Sequence, residues 1–198
     1  LGSSPIVDLA GVCDLSPALA SFMRDKFGAA AAFTDVGEML AIARPDVVHV
    51  LTPPQTHVPL VEQSLAAGAH VVCEKPMAAD APTVQGLIDR ALASGRVLQE
   101  SRNYLFNDIV MTFTDLVRSG RIGQVVEVDL LLSLDFLQGP FGDENLSGIA
   151  VPLPAGAVHD FLPHLAYLFL HFADWKGEVD TVTGFLQNRS RNRRAGFD

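Results

Sequence analysis

Apolar residues follow two different rhythms in this chain, and the change comes at Gly123. Before it, short, mostly apolar runs (Ile6 to Cys13, Val47 to Leu51, Val71 to Cys73, Val97 to Gln99) alternate with stretches whose apolar residues recur at helical spacing. Short runs bounded by turn residues read as strands buried on both faces, and the stretches between them read as amphipathic helices. The first helix has a start and a stop: Ser16 caps it, Pro17 suits its first turn, Leu19, Phe22, Met23 and Phe27 space an apolar face, and Gly28 ends it. Asp35 and Glu38 make a capping-box-like start for the next, a third runs from His57 to Gly68, and a fourth opens at Pro82 and closes near Gly95. Strand, helix, strand in this alternation predicts a parallel α/β sheet with right-handed crossovers.

From Val125 to Leu134 the rhythm becomes strict alternation: Val126, Val128, Leu130, Leu132 and Leu134 are apolar, while Glu127, Asp129 and Ser133 stand between them. One buried face and one open face belong to an antiparallel sheet backed by helices, so a boundary is expected before Gln124, with domains at 1–122 and 123–198. A loop rich in Gly and Pro from Gln138 to Gly156 leads to the most apolar stretch, Phe161 to Phe172. That stretch is too short to span a bilayer and contains Pro163, His164 and His171, so it reads as a buried helix, with a second strand over Val179 to Gln187.

Chemistry is expected at strand ends, because ligands of open parallel sheets bind beyond the carboxyl ends of the strands. One strand stops at Thr52-Pro53-Pro54, and the strand one crossover later stops at Glu74-Lys75-Pro76, so the two ends border one crevice. A lone lysine at a strand end is ordinarily a solvated charge, but Pro76 restricts the backbone of Lys75 and gives it a defined exit. Asp14 ends the first strand, where it is either a turn residue or a hydrogen-bond acceptor for a ligand. In His159-Asp160-Phe161-Leu162-Pro163-His164, Asp160 and His164 share a helix face while His159 and His164 diverge, which argues against a two-histidine metal site; no metal is expected.

The strand ending in Glu74-Lys75-Pro76, preceded by Thr52-Pro53-Pro54 and His57, resembles the Gfo/Idh/MocA family of nicotinamide-dependent oxidoreductases, which includes glucose-fructose oxidoreductase and inositol dehydrogenase. The resemblance extends over most of the chain and implies a dinucleotide-binding half followed by an α+β half whose open sheet face makes a homo-oligomer. It implies hydride transfer between a nicotinamide and a carbinol carbon of a sugar, polyol or related small molecule. Lys75, Asp160 and His164 are then the catalytic set, with Asp14, Thr52, Pro53, Pro54, His57, Glu74 and Lys75 lining the cofactor and Tyr104 the substrate. Asp160 and His164 match the ends of the family's Asp-x-Gly-x-His pattern, and Leu162 replaces its glycine. A carboxylate at Asp14 with no arginine after it favours NAD over NADP, since it would accept from ribose hydroxyls and repel a 2'-phosphate.

No Gly-x-Gly-x-x-Gly turn occurs in the chain. The resemblance therefore implies an incomplete Rossmann-type sheet that begins one strand and one helix late and stops early, with an open edge where the leading strand belongs. A non-catalytic binding or regulatory relative of the same fold is the alternative. The 198 residues are 48% hydrophobic, ample for a core, and a formal net charge of -9 argues against nucleic acid and anionic membranes as partners. Arg189, Arg191, Arg193 and Arg194 cluster near Asp198, where a solvated tail or a strand edge explains them better than a binding patch. Cys13 and Cys73 lie in apolar strand contexts, so free buried thiols in a reducing, cytoplasmic setting are expected rather than a disulfide.

Overall fold

The computed structural model describes residues 6–131, 156–174 and 179–185, and of 156–160 the backbone alone. The loop expected over 138–155, the end of the expected strand at 132–134 and the arginines at 189–194 lie outside the described residues. The chain splits into two compact units, Leu1–Glu100 and Ser101–Asp198.

The first unit alternates strand and helix as the apolar runs predict: β1 (Val12–Cys13), α1 (Pro17–Phe27), β2 (Ala32–Phe33), α2 (Val36–Ala43), β3 (Val47–Val50), a 3-10 turn (Pro54–Thr56), α3 (His57–Ala66), β4 (His70–Cys73), α4 (Ala81–Ala93) and β5 (Leu98–Glu100). All pairings are parallel: β1 with β2, and β3–β4–β5 in register Val47 opposite His70 and Val71 opposite Leu98. Among the described residues β1 pairs only with β2 and β3 only with β4. The core lies between the three-stranded sheet and its helices, with Val48, Val50, Val61, Leu65, Val71 and Leu87 packed together.

The helix signals read from sequence operate as expected. Ser16 accepts from the Leu19 amide at 3.3 Å, Asp35 from Glu38 at 2.7 Å and Asp80 from Thr83 at 2.8 Å, each satisfying an otherwise orphaned first-turn donor. Gly28 closes α1 at φ 69°, a left-handed conformation that costs glycine little. The apolar face expected of α1 is a correction: Ala20 is its buried residue, while Leu19, Phe22 and Phe27 are exposed. The two-residue ladder of β1 and β2 beneath it is too small a surface to cover that face.

The second unit contains a 3-10 turn (Asn103–Phe106), α5 (Asp108–Arg118) and α6 (Gly156–Phe172). Residues 103–118, which the sequence pattern grouped with the first domain, cluster with this unit. Asn107 caps α5 by accepting from the Ile109 amide at 3.0 Å, and Phe113 meets Phe172 edge-on with centroids 5.3 Å apart. The antiparallel strands expected over 125–134 and 179–187 are not formed in the described residues. Val126 and Leu131 are each 94% exposed, because alternation buries a face only where a neighbouring strand and a covering helix supply a surface.

Candidate functional site

The carboxyl ends of β3 and β4, where a crevice is expected, lie within the first unit, and one histidine ties them together. After Val50 the chain passes Leu51, Thr52 and Pro53 and folds into the 3-10 turn, with the Thr56 hydroxyl 2.6 Å from the Thr52 hydroxyl and 2.8 Å from the Pro53 carbonyl. His57 follows at the start of α3 and is 0% exposed. Its Nε2 lies 2.8 Å from the Thr52 carbonyl oxygen and its Nδ1 2.9 Å from the Pro76 carbonyl oxygen. One ring thus spans the ends of both strands. With no exposed surface and both nitrogens facing backbone carbonyls, the His57 ring is committed to the two strand ends.

Across the crevice, the Glu74 amide donates to the Val50 carbonyl at 2.9 Å, continuing the β3–β4 ladder to the site's edge. The Glu74 carboxylate accepts from the Lys75 amide at 3.1 Å, and the Lys75–Pro76 peptide bond is cis. Glu74 and Lys75 are half-buried and Pro76 is buried. Met77 donates its amide to Glu100 Oε1 at 3.2 Å, so the end of β5 also anchors this loop. Glu100 was missed by the sequence reading; its position one residue past the short apolar run at Val97–Gln99 was the available signal. Burial, reinforced by Glu100 and Glu74, pushes the Cys73 thiol up to about 12.

Asp14 stands just beyond β1, half-buried. Its amide donates to the Phe33 carbonyl at 3.2 Å, and its Oδ1 accepts from the Ser16 amide at 2.8 Å. Among the described residues its second carboxylate oxygen has no protein donor, so an acceptor remains for a ligand. Thr52, Pro53, Pro54, His57, Glu74 and Lys75 are brought to one end of the three-stranded sheet, and Asp14 to the same end of its own strand.

In the second unit, His164 and Tyr104 are brought together. Their rings stack with centroids 4.4 Å apart at 24°, and His164 is 5% exposed. His164 Nδ1 lies 2.7 Å from the hydroxyl of Tyr167, which is 4% exposed and also accepts from the Tyr104 amide at 3.3 Å. Tyr167 was not singled out from sequence, although its position three residues after His164 on the same helix places it on His164's face. Leu162, which stands at the family's glycine position, is accommodated within α6. Asp160 is on α6, but its side chain lies outside the described residues. Further along α6, His171 Nε2 meets the Thr114 hydroxyl at 2.8 Å, and burial, together with the Arg118 charge, lowers the pKa of its imidazole.

Residues 2–101 match the Gfo/Idh/MocA oxidoreductase family, described as having an NAD-binding Rossmann fold. The chain belongs to this family. Among Gfo/Idh/MocA relatives, D-glucoside 3-dehydrogenase of Escherichia coli K12 is 31% identical over 119 residues, covering 60% of this chain and 34% of the relative. D-xylose 1-dehydrogenase (NADP(+)) 2 of Haloferax volcanii is 30% identical over 170 residues, covering 84% of this chain and 51% of the relative. The crystal structure of myo-inositol 2-dehydrogenase from Lactobacillus plantarum superposes with a TM-score of 0.69 over 86% of this chain and 50% of its own, at 19% identity, a likeness of fold alone. The chain spans about a quarter to a half of the length of the curated relatives it matches.

A Gfo/Idh/MocA chain is expected to hold a nicotinamide dinucleotide, and the residues present fit one. The remaining oxygen of Asp14 can accept from a ribose hydroxyl, and the ends of β3 and β4, where such a ligand binds in open parallel sheets, are held together by His57. A relative named for NADP(+) keeps both dinucleotides within the family's range. Among the described residues no helix is long and apolar enough to cross a membrane.

Proposed function

We propose that this chain contributes the cofactor crevice and proton-handling residues of a nicotinamide-dependent oxidoreductase acting on a carbinol of a sugar, polyol or related small molecule. The observation that carries the reading is the His57 brace, which fixes Thr52 and Pro76 and so sets the exit of Lys75 at the crevice. When bound, the nicotinamide carbon accepts or returns the hydride. Oxidation of an alcohol also releases the hydroxyl proton while negative charge builds on oxygen, so the protein must supply a base and a donor. Lys75, with an ammonium on a flexible stem, and His164, with an imidazole that can donate or accept a proton, are the two groups suited to these tasks. Asp160 accepts from a substrate hydroxyl or orients His164.

Asp14 favours NAD over NADP. Its free oxygen would receive ribose hydroxyls, and its charge would repel a 2'-phosphate. Names of the relatives support sugars as the substrate class: one is called a D-glucoside 3-dehydrogenase and another a D-xylose 1-dehydrogenase. Assembly into a homo-oligomer through the second half, and action in the cytoplasm, complete the reading.

The experiment is an assay of the full-length protein for reduction of NAD and NADP against a panel of aldoses, glycosides and inositols. Turnover with at least one panel member, lost in Lys75→Met, is the expected result. Absence of turnover on the whole panel, with NAD bound tightly, would favour the non-catalytic alternative.

A further inference from the structure

Two threonine hydroxyls just beyond β3 share their protons in an order that the neighbouring acceptor dictates. Thr56 Oγ1 lies 2.8 Å from the Pro53 carbonyl oxygen, which can only accept, so the one hydroxyl proton of Thr56 goes there. Thr52 Oγ1 lies 2.6 Å from Thr56 Oγ1, and with that proton already given the contact is a hydrogen bond only if Thr52 donates. Donation therefore runs from Thr52 to Thr56 to Pro53. Among the described residues neither hydroxyl makes another hydrogen bond. The backbone holds both in place: the Thr52 carbonyl meets His57 Nε2 at 2.8 Å, and the Thr56 amide donates to the Pro53 carbonyl at 3.0 Å. What Thr52 Oγ1 has left is lone pairs, on a residue exposed past the carboxyl end of β3.

We infer that Thr52 Oγ1 is a hydrogen-bond acceptor for a hydroxyl or carboxamide N–H of the nicotinamide riboside end of the dinucleotide, and that Thr56 is the positioning residue that commits the Thr52 proton. This rests on the reading that the ends of β3 and β4 hold the cofactor. An oxygen that only accepts selects neutral donors, and the pyrophosphate, whose oxygens also only accept, gains nothing from it. The nicotinamide riboside offers such donors beside the reacting carbon. Val50 stands opposite Cys73, and Thr52 and Lys75 each follow two residues beyond that pair, so the acceptor comes at the same level of the sheet as the lysine read as handling the substrate proton. Donation into the Thr56–Pro53 chain also makes Thr52 Oγ1 a stronger acceptor than a lone hydroxyl. Thr56 itself touches no cofactor in this account; it acts through Thr52.

Neutron diffraction from crystals of the deuterated full-length protein reads the proton order directly. Deuterium on Thr56 Oγ1 is expected toward Pro53, and deuterium on Thr52 Oγ1 toward Thr56; a Thr52 hydroxyl turned away from Thr56 would overturn the inference. That map decides the order even if a valine variant does not fold. A double-mutant cycle, with NAD binding followed by calorimetry, tests the rest. Thr52→Val should weaken NAD binding roughly three- to tenfold, the usual value of one hydrogen bond, and Thr52→Ser should keep it. Thr56→Val should cost part of that loss, Thr56→Ser none, and Thr56→Val in the Thr52→Val background nothing further. Unchanged affinity in a folded Thr52→Val protein would overturn the inference, as would a Thr56→Val loss of equal size in both backgrounds, which is what a merely structural role in the turn produces. Failure of the functional reading looks different: the cycle holds while the unmodified enzyme shows no turnover, whereas turnover with an indifferent Thr52→Val sinks this inference alone.

Discussion

Replacement of His57 by leucine removes the brace between β3 and β4 while keeping a buried apolar side chain of similar bulk. Both ring nitrogens face backbone carbonyls, at 2.8 Å to Thr52 and 2.9 Å to Pro76, in a site with no solvent access. Leucine donates nothing, and a neutral ring has one N–H to give, so the carbonyl that accepts from it loses its donor. A buried polar group left without its partner costs about 1–3 kcal/mol, and leucine's better transfer from water offsets part of it. The expected net loss is about 1–3 kcal/mol. Urea unfolding of wild type, His57→Leu and His57→Gln, followed by circular dichroism, measures it. At a typical slope of about 1–3 kcal/mol per molar for a small domain, the leucine midpoint should fall by roughly 0.5–1.5 M. Glutamine can restore one donor and should fall between the other two. A leucine variant within about 0.5 kcal/mol of wild type, the range of an ordinary surface substitution, would refute the brace.

In the full-length enzyme, Lys75→Met should reduce turnover about a hundredfold or more with NAD affinity nearly intact, measured by steady-state kinetics and calorimetry. Asp14→Ala should weaken discrimination between NAD and NADP by up to about 3 kcal/mol, the value of a buried hydrogen-bond acceptor to charged or polar donors; equal turnover with both cofactors in the unmodified enzyme would contradict this. Because burial holds the Cys73 thiol near about 12 against an ordinary 9.0, iodoacetamide at mildly alkaline pH should label the half-buried Cys13 first and leave Cys73 until the chain unfolds, read by peptide mass spectrometry. The same shift has a sign for stability: the unfolded thiol ionises first, so Cys73's contribution is intact below pH 9.0 and is lost as pH rises toward about 12.

Much of the first unit was readable because its signals are local. Ser16, Pro17 and Gly28 bound α1 through bonds within one turn, and the runs at Val47 and Val71 end where β3 and β4 do. The strand-end positions of Thr52, Glu74 and Lys75 followed from the same runs. Roles set by distant partners were not readable. His57 reads equally well as a residue facing the crevice, and only the approach of Pro76, nineteen positions later, shows where its ring is spent. Tyr167 gains meaning from the Tyr104 amide sixty-three positions away. Alternation at Val126–Leu134 names a face but not the surface that would cover it, and the exposed Val126 records that difference.

The unpaired outer edge of β3 bears on how this chain behaves in solution. Along that side, Val47 and the exposed His49 flank backbone groups that no neighbouring strand engages among the described residues, a template on which a second copy could pair. A net charge of -9 opposes such an encounter between identical chains. The opposition is ionic and therefore short-ranged in salt: the screening length falls from about 10 Å at 0.1 M to about 3 Å at 1 M. Colloidal behaviour is thus tied to ionic strength, with dilute buffer keeping copies apart and concentrated salt removing the barrier that protects the open strand.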